Sequence, residues 1–106
     1  NELISGSNDR TIKFWNMETG QVKKTLTGHA RLVTSMVINK DNELVSGSED
    51  STIKIWNMQT GQVKRTLTGH TSAVWTIAIN KDNELISGSS DKTIKIWNMI
   101  TGEVKR

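Results

Sequence analysis

The stretch Ser46-Gly47-Ser48-Glu49-Asp50-Ser51-Thr52-Ile53-Lys54-Ile55-Trp56 decides how this chain folds. Thr52–Trp56 alternates, with Ile53 and Ile55 on one side and Lys54 on the other, which is the two-residue period of a half-buried strand. Glu49-Asp50-Ser51 is a tight polar turn, and Glu43–Ser48 before it reads as the preceding strand. The same run recurs at 5–15 and 87–97, displaced by 41 residues each way. Trp15, Trp56 and Trp97 keep that spacing, as do Asp9, Asp50 and Asp91, and His29 and His70.

Outward from this stretch the whole chain is periodic. Residues 25–65 and 66–106 are identical at 29 of 41 positions, and 1–24 matches 42–65 at 18 of 24. Each period contains four strand signals separated by turn residues. In the middle unit these are Val33–Ile38, Glu43–Ser48, Thr52–Trp56 and the more polar Gln62–Leu67. The turns Asn39-Lys40-Asp41-Asn42 and Asn57-Met58-Gln59-Thr60-Gly61 lie between them. Turn clusters recur too often for helix, and no 3.6-residue apolar period persists. Gly20, Gly61 and Gly102 are expected at turn positions with positive φ. Ile12, Phe14, Ile53, Ile55, Ile94 and Ile96 are the expected core. Gly47 and Gly88 are expected where neighbouring sheets approach closely. Lys23, Lys64 and Lys105 suit an outer edge strand, where lysine discourages pairing with other chains.

Composition narrows the function classes. Of 106 residues, 34% are hydrophobic and 24% charged, and no apolar run approaches the ~18 residues of a membrane span. Without cysteine there is no disulfide framework and no thiolate chemistry. The N-terminus is neither basic nor followed by an apolar run, so no signal peptide is expected. The first residue is not Met, so the true start is expected to lie further upstream. The chain falls short of three whole periods, which points to a segment of a longer protein. The expected location is the cytoplasm, with the nucleus as the alternative. The formal charge is +3 and scattered, which argues against specific nucleic-acid binding. Lys13, Lys54 and Lys95 alternate with core residues and lack the interleaved aromatics of a base-stacking surface, so they read as a solvated rim.

Registered copies of Gly28-His29 and Gly69-His70, of Ser-Gly-Ser-x-Asp at 46–50 and 87–91, and of Ile-Trp pairs closing the third strand resemble the WD40-repeat β-propeller family. The resemblance implies an all-β propeller segment of four-stranded antiparallel blades. Residues 1–27 would form a partial blade holding strands two to four, 28–68 a complete blade, and 69–106 a blade lacking most of its outermost strand. Trp56-Asn57 departs from the Trp-Asp dipeptide of the family name. The resemblance also implies a buried structural tetrad in each blade. It would join His29, Ser46, Asp50 and Trp56, then His70, Ser87, Asp91 and Trp97. Ser5, Asp9 and Trp15 form a third set whose histidine would precede residue 1. The residue types suit that arrangement. Indole N–H only donates, a carboxylate only accepts, and Ser and neutral His do both. Ser, His and Asp together also suggest a catalytic triad. A set repeated in every unit, without a nucleophile-elbow sequence, does not fit a single active site. No second His or Cys sits at ligand spacing for a metal. No enzymatic activity, metal or cofactor is expected.

The two full repeats differ at 12 positions, and seven of these fall at 30–32 and 34–37. A surface diversified between near-identical units is where recognition is expected. By the resemblance, the partner-binding rim comprises Leu32, Thr34 and Glu49, then Ala73, Trp75 and Ser90, with Asn8 from the partial blade. Trp75 breaks the register, since its counterpart is Thr34. Strand parity leaves it open whether it packs inward or faces a partner, and the latter is expected. The implied function is a non-enzymatic scaffold binding a protein or peptide, with no membrane partner. The alternative is an assembly module that completes a larger ring with further WD blades, from the same longer chain or from other copies.

Overall fold

The computed structural model describes residues 2–6 and 9–105. They form ten strands: β1 (Glu2–Gly6), β2 (Thr11–Asn16), β3 (Val22–Thr27), β4 (Val33–Ile38), β5 (Leu44–Ser48), β6 (Ile53–Trp56), β7 (Val63–Leu67), β8 (Val74–Ile79), β9 (Leu85–Ser89) and β10 (Ile94–Trp97). The strand signals of the middle unit are met in place, three of them beginning one residue later than expected. No helix among the described residues is long and apolar enough to cross a membrane.

The strands make three antiparallel sheets, ordered β1-β2-β3, β4-β5-β6-β7 and β8-β9-β10. Sequential neighbours pair, as short turns favour. A single bridge from Trp97 to Val104 stands where the third sheet would have its fourth strand. The first and third sheets thus hold three strands each and the middle one four. The register slips at Val33/Ser35 and at Val74/Thr76, so Thr34 and Trp75 occupy equivalent bulges at the start of β4 and β8.

The sheets pack face to face, and the apolar core lies between them. Ile12, Phe14 and Leu26 of the first sheet meet Val33, Leu44 and Trp56 of the second. Val45, Ile53, Ile55 and Leu67 of the second meet Val74, Ile77, Leu85 and Trp97 of the third. Each such side chain contributes roughly 1.5–3 kcal/mol by leaving water. Polar bridges stitch the same seams. Thr34 Oγ1 donates to Val74 O at 2.6 Å, and Lys40 N donates to Asn83 Oδ1 at 3.2 Å. At the outer edge Lys24 Nζ donates to Met58 O, and Arg65 Nη1 donates to Met99 O at 2.6 Å. A cation within one unit's last strand therefore caps a turn carbonyl of the next unit. Lys64 and Lys105, on the outer side, ion-pair with Glu43 and Glu84 across their own sheets.

Close approach explains Gly47. A Cβ there would sit 2.9 Å from Val74 Cγ1 of the neighbouring sheet. Gly20, Gly61 and Gly102 have φ of 76°, 78° and 80°, as the turn reading requires. Two expectations need correction. Ile94 is 73% exposed although its counterpart Ile53 is fully buried, and Ile96 is only partly buried. Gly88 meets only Thr76 of its own sheet. The cause is the same in each case: no sheet among the described residues packs on that face of the third sheet.

Overpacking a tight seam costs about 1–3 kcal/mol. Gly47→Ala is therefore expected to destabilise the fold by that amount. Gly88→Ala, whose nearest neighbour is the movable Thr76 methyl at 3.1 Å, should cost clearly less. Chemical denaturation of the two variants side by side checks this.

Candidate functional site

The residue sets expected to act together are brought together. β5 and β6 pair antiparallel with Leu44 opposite Trp56 and Ser46 opposite Lys54. This lets the Trp56 indole lie back along β5 and donate from Nε1 to Ser46 Oγ at 2.8 Å. His29 arrives from the loop between β3 and β4. Its Nε2 is 2.6 Å from Ser46 Oγ and its Nδ1 is 2.9 Å from Asp50 Oδ2. In the third sheet Trp97 Nε1 donates to Ser87 Oγ at 2.8 Å, His70 Nε2 is 2.7 Å from the same oxygen, and His70 Nδ1 is 2.8 Å from Asp91 Oδ2. In the first sheet Trp15 Nε1 donates to Ser5 Oγ at 2.9 Å, and Asp9 Oδ1 accepts from Thr11 N at 3.1 Å.

The ends of each relay fix its direction. Indole can only donate to Ser Oγ, so the Ser hydroxyl gives its own proton to His Nε2. A neutral ring protonated on Nδ1 then donates to the carboxylate. The carboxylates also hold the local backbone. Asp50 Oδ2 accepts from Ala30 N at 2.9 Å, and its Oδ1 accepts from Thr52 N at 2.9 Å and from Thr52 Oγ1. Asp91 does the same with Thr71 and Thr93. His29 and His70 are only 6% and 7% exposed. No buried side-chain nitrogen or oxygen among the described residues lacks a partner.

This environment sets the charge states. Burial pushes the His29 pKa down, outweighing the Asp50 carboxylate that would raise it, with Lys54 adding to the depression. Burial alone would raise the Asp50 carboxyl. The hydrogen bonds from Thr52, Ala30 and His29 overcome it and hold the group at about 2. Asp91 lies below the ordinary carboxylate range too, chiefly through the Thr93 hydroxyl, with burial opposing and His70 and Thr71 assisting. An uncharged imidazole pinned between a hydroxyl and a carboxylate is suited to holding a loop on a sheet.

The departure at Trp-Asn also has a structural account. Asn57 Oδ1 accepts from Gln59 N at 2.8 Å and Thr60 N at 3.1 Å. Asn16 and Asn98 do the same in their own turns. An amide oxygen caps this turn as a carboxylate would, so the turn needs only the acceptor.

The expected rim residues have different placements. Leu32, Glu49 and Ala73 are half-buried and Ser90 is exposed, all at the end where the loops before β4 and β8 meet the β5–β6 and β9–β10 turns. Glu49 N donates to Leu32 O, and Ser90 N to Ala73 O, each at 2.9 Å. Thr34 is half-buried, its hydroxyl engaged with Gly47 O and Val74 O. Trp75 is 49% exposed, and its indole donates to Ser90 Oγ. Asn8 lies outside the described residues. The sequence reasoning missed the seam cations Lys24 and Arg65. A signal was present, since both recur 34 residues before Met58 and Met99. Among the described residues no group of three or more His, Cys, Asp or Glu is placed to hold a metal ion.

Removing a relay hydroxyl orphans two buried groups at about 1–3 kcal/mol each. Ser46→Ala is expected to cost about 2–6 kcal/mol in urea titration. Ser5→Ala, beside the only partly buried Trp15, should cost markedly less. Stability should also depend on pH with a definite sign. The folded His29 binds its proton more weakly than the ordinary 6.5, so the unfolded state takes up protons first and stability falls as pH drops below that value. Asp50 adds a second loss as pH falls from 3.8 towards about 2, on the order of 2 kcal/mol. Melting temperatures followed from neutral to acid pH test both.

Comparison with known proteins agrees with this geometry. The family described as WD domain, G-beta repeat matches residues 1–16, 20–57 and 61–98. The crystal structure of the WD40 beta propeller domain of Doa1 superposes with a TM-score of 0.85 at 34% identity, covering 90% of this chain and 32% of that one. Nuclear distribution protein PAC1-1 of Uncinocarpus reesii is 50% identical over 34 residues, 32% of this chain and 8% of that protein. Pre-mRNA-splicing factor PRP46 of Saccharomyces cerevisiae is 43% identical over 37 residues, 35% of this chain and 8% of that protein. Cell division control protein 4 of Candida albicans is 60% identical over 30 residues, 28% of this chain and 4% of that protein. The matched stretch is thus a tenth or less of these relatives' length. Three registered repeats, each with its indole–hydroxyl contact, make this chain a member of the WD40 family and a segment of β-propeller.

Proposed function

We propose that the chain is a non-enzymatic interaction scaffold, divided into repeat units at residues 28 and 69, that binds a protein or peptide through its rim loops. The family's general role as protein-binding scaffolds supports the coarser part of this reading. One observation carries the finer part. Differences between near-identical repeats gather in the loop before the first strand and along it, and there Trp75 leaves half its surface in water. A half-exposed indole held by Ser90 offers a large contact area at little entropic cost. The relay side chains are spent on structure, which leaves the rim for recognition. The proposed location is the cytoplasm with the nucleus as alternative, and the relative named as a pre-mRNA-splicing factor bears on the second.

A second reading has its own support. The open face of the third sheet carries Ile86, Gly88, Ile94 and Ile96, counterparts of the Val45, Gly47, Ile53 and Ile55 that receive the third sheet on the second. That continuity favours a further repeat stacking there, from the same longer chain or from another copy. If copies stack, a species above monomer mass in sedimentation should be lost on Ile94→Glu.

For the scaffold, Trp75→Ala is expected to weaken a captured partner by about 2 kcal/mol or more, with the melting temperature little changed. Leu32→Ala should add to the loss, and Ile100→Ser, in the β10 turn at the opposite end, should leave capture intact. Unfolding of Trp75→Ala with unchanged binding per folded molecule would overturn the reading.

A further inference from the structure

Resting on that rim reading, we propose that the rim selects an extended acidic segment, its carboxylates over Arg10 and Arg31 and an apolar side chain on Trp75. Arg10, Ala30, Arg31, Leu32 and Glu49 line one open cleft of about 520 Å³ where the β1–β2 turn of the first sheet meets the loop before β4. Arg10 sits in the left-handed region at φ 71° and is exposed. Among the described residues it makes no ion pair. Arg31 is 68% exposed and meets Glu49 only through Nε, at 3.7 Å. The other end of its guanidinium fork remains available for a carboxylate. Among the residues that line it, two guanidinium groups stand against the single carboxylate of Glu49.

The neighbouring seam makes the arrangement directional. One period on, the counterparts of Arg10, Arg31 and Glu49 are Ser51, Ser72 and Ser90, so the charge disappears. Trp75 stands beyond that seam, bonded to Ser90 of the turn that also carries the exposed Lys92. At the opposite end the turn Asn39–Glu43 is repeated unchanged at Asn80–Glu84, and the differences there fall at Glu18, Gln59 and Ile100 in the turns after β2, β6 and β10. A ligand lying across both seams would therefore meet cations first, then a hydroxyl-lined ledge, then an aromatic face. An extended peptide carrying Asp or Glu a few residues from a Leu or Phe matches that order. A nucleic acid is the poorer match. Glu49 interrupts the cations, and a single indole gives no run of stacking faces.

The test uses fluorescein-labelled peptides and anisotropy. The probe Glu-Glu-Glu-Gly-Ser-Phe-Leu is compared with a version in which Gln replaces Glu and with one in which Ser-Ser replaces Phe-Leu. A ten-residue oligothymidylate is the fourth probe. The acidic–apolar peptide should bind best, and Arg10→Ala with Arg31→Ala should weaken it about tenfold while leaving the Gln version unchanged. Trp75→Ala should weaken the acidic and Gln versions alike and spare the Ser-Ser version. Lys40→Ala with Lys81→Ala, at the other end, should change nothing, and tryptophan emission of each variant reports that it is folded. Peptides that depend on Trp75 but ignore both arginines would overturn the acidic assignment while leaving the rim reading intact. Tighter, salt-sensitive binding of the oligothymidylate at the arginines would overturn it in favour of a nucleic acid. Binding of no peptide, or binding unaffected by every rim variant, would overturn the acidic assignment. In that case, loss of protein-partner capture on Trp75→Ala still decides the rim reading separately.

Discussion

A buried polar atom must find a partner or cost the fold several times what its hydrogen bond would contribute. Each of the two repeats that carry a histidine buries an indole N–H, a hydroxyl and an imidazole between sheets, and one carboxylate completes the relay. The order is forced by chemistry, because only the indole cannot accept and only the carboxylate cannot donate. His29 is thereby fixed as a neutral ring by burial, although an acid lies against it. The same Asp50 holds the backbone of the loop before β4 and of the β5–β6 turn. One side chain thus joins the loop before the first strand of a repeat to the turn between its second and third, a turn in which only the Asp is common to all three copies.

That coupling separates two kinds of residue. The apolar seams and the relay anchor each sheet from within, so loop residues 30–32 and 71–73 can change without exposing core. Thr34 and Trp75 show how far this freedom reaches. Both occupy the bulge at the start of a first strand. Thr34 spends its hydroxyl on the next sheet's Val74 carbonyl. Trp75 has no following sheet among the described residues and bonds sideways to Ser90. The same backbone position serves cohesion in one unit and presents surface in the next.

Much of this was legible in the sequence because repetition multiplies weak signals. A single Ser-Gly-Ser-x-Asp says little, whereas three in register fix strand phase, turn position and the partners of each Trp. The burial of Ile94 was misjudged because periodicity assigns the same face to every copy, while burial depends on what lies against it. Ile53 and Ile94 have the same neighbours in sequence and opposite exposure. The seam bridges from Lys24 and Arg65 escaped notice for a related reason. Lysine and arginine on an outer strand normally read as solubilising charge, and only the stacking of sheets brings a turn carbonyl within their reach.

The stacking geometry also explains why charge at the rim can vary along the chain when the Asn39–Glu43 turn at the opposite end does not. In the turn Asn39–Glu43 the Asn39 and Glu43 side chains are both committed. Asn39 Oδ1 accepts from Asp41 N and Glu43 N, its Nδ2 donates to Glu43 Oε1, and Glu43 pairs with Lys64. Changing Asn39 or Glu43 strands the other, and Asn80–Glu84 repeats the same bonds. The rim loops satisfy their backbone through Asp50, Asp91 and the β-turn amides, without their own side chains. Arg31 and Ser72 are therefore interchangeable for the fold, while they present opposite surfaces to a ligand.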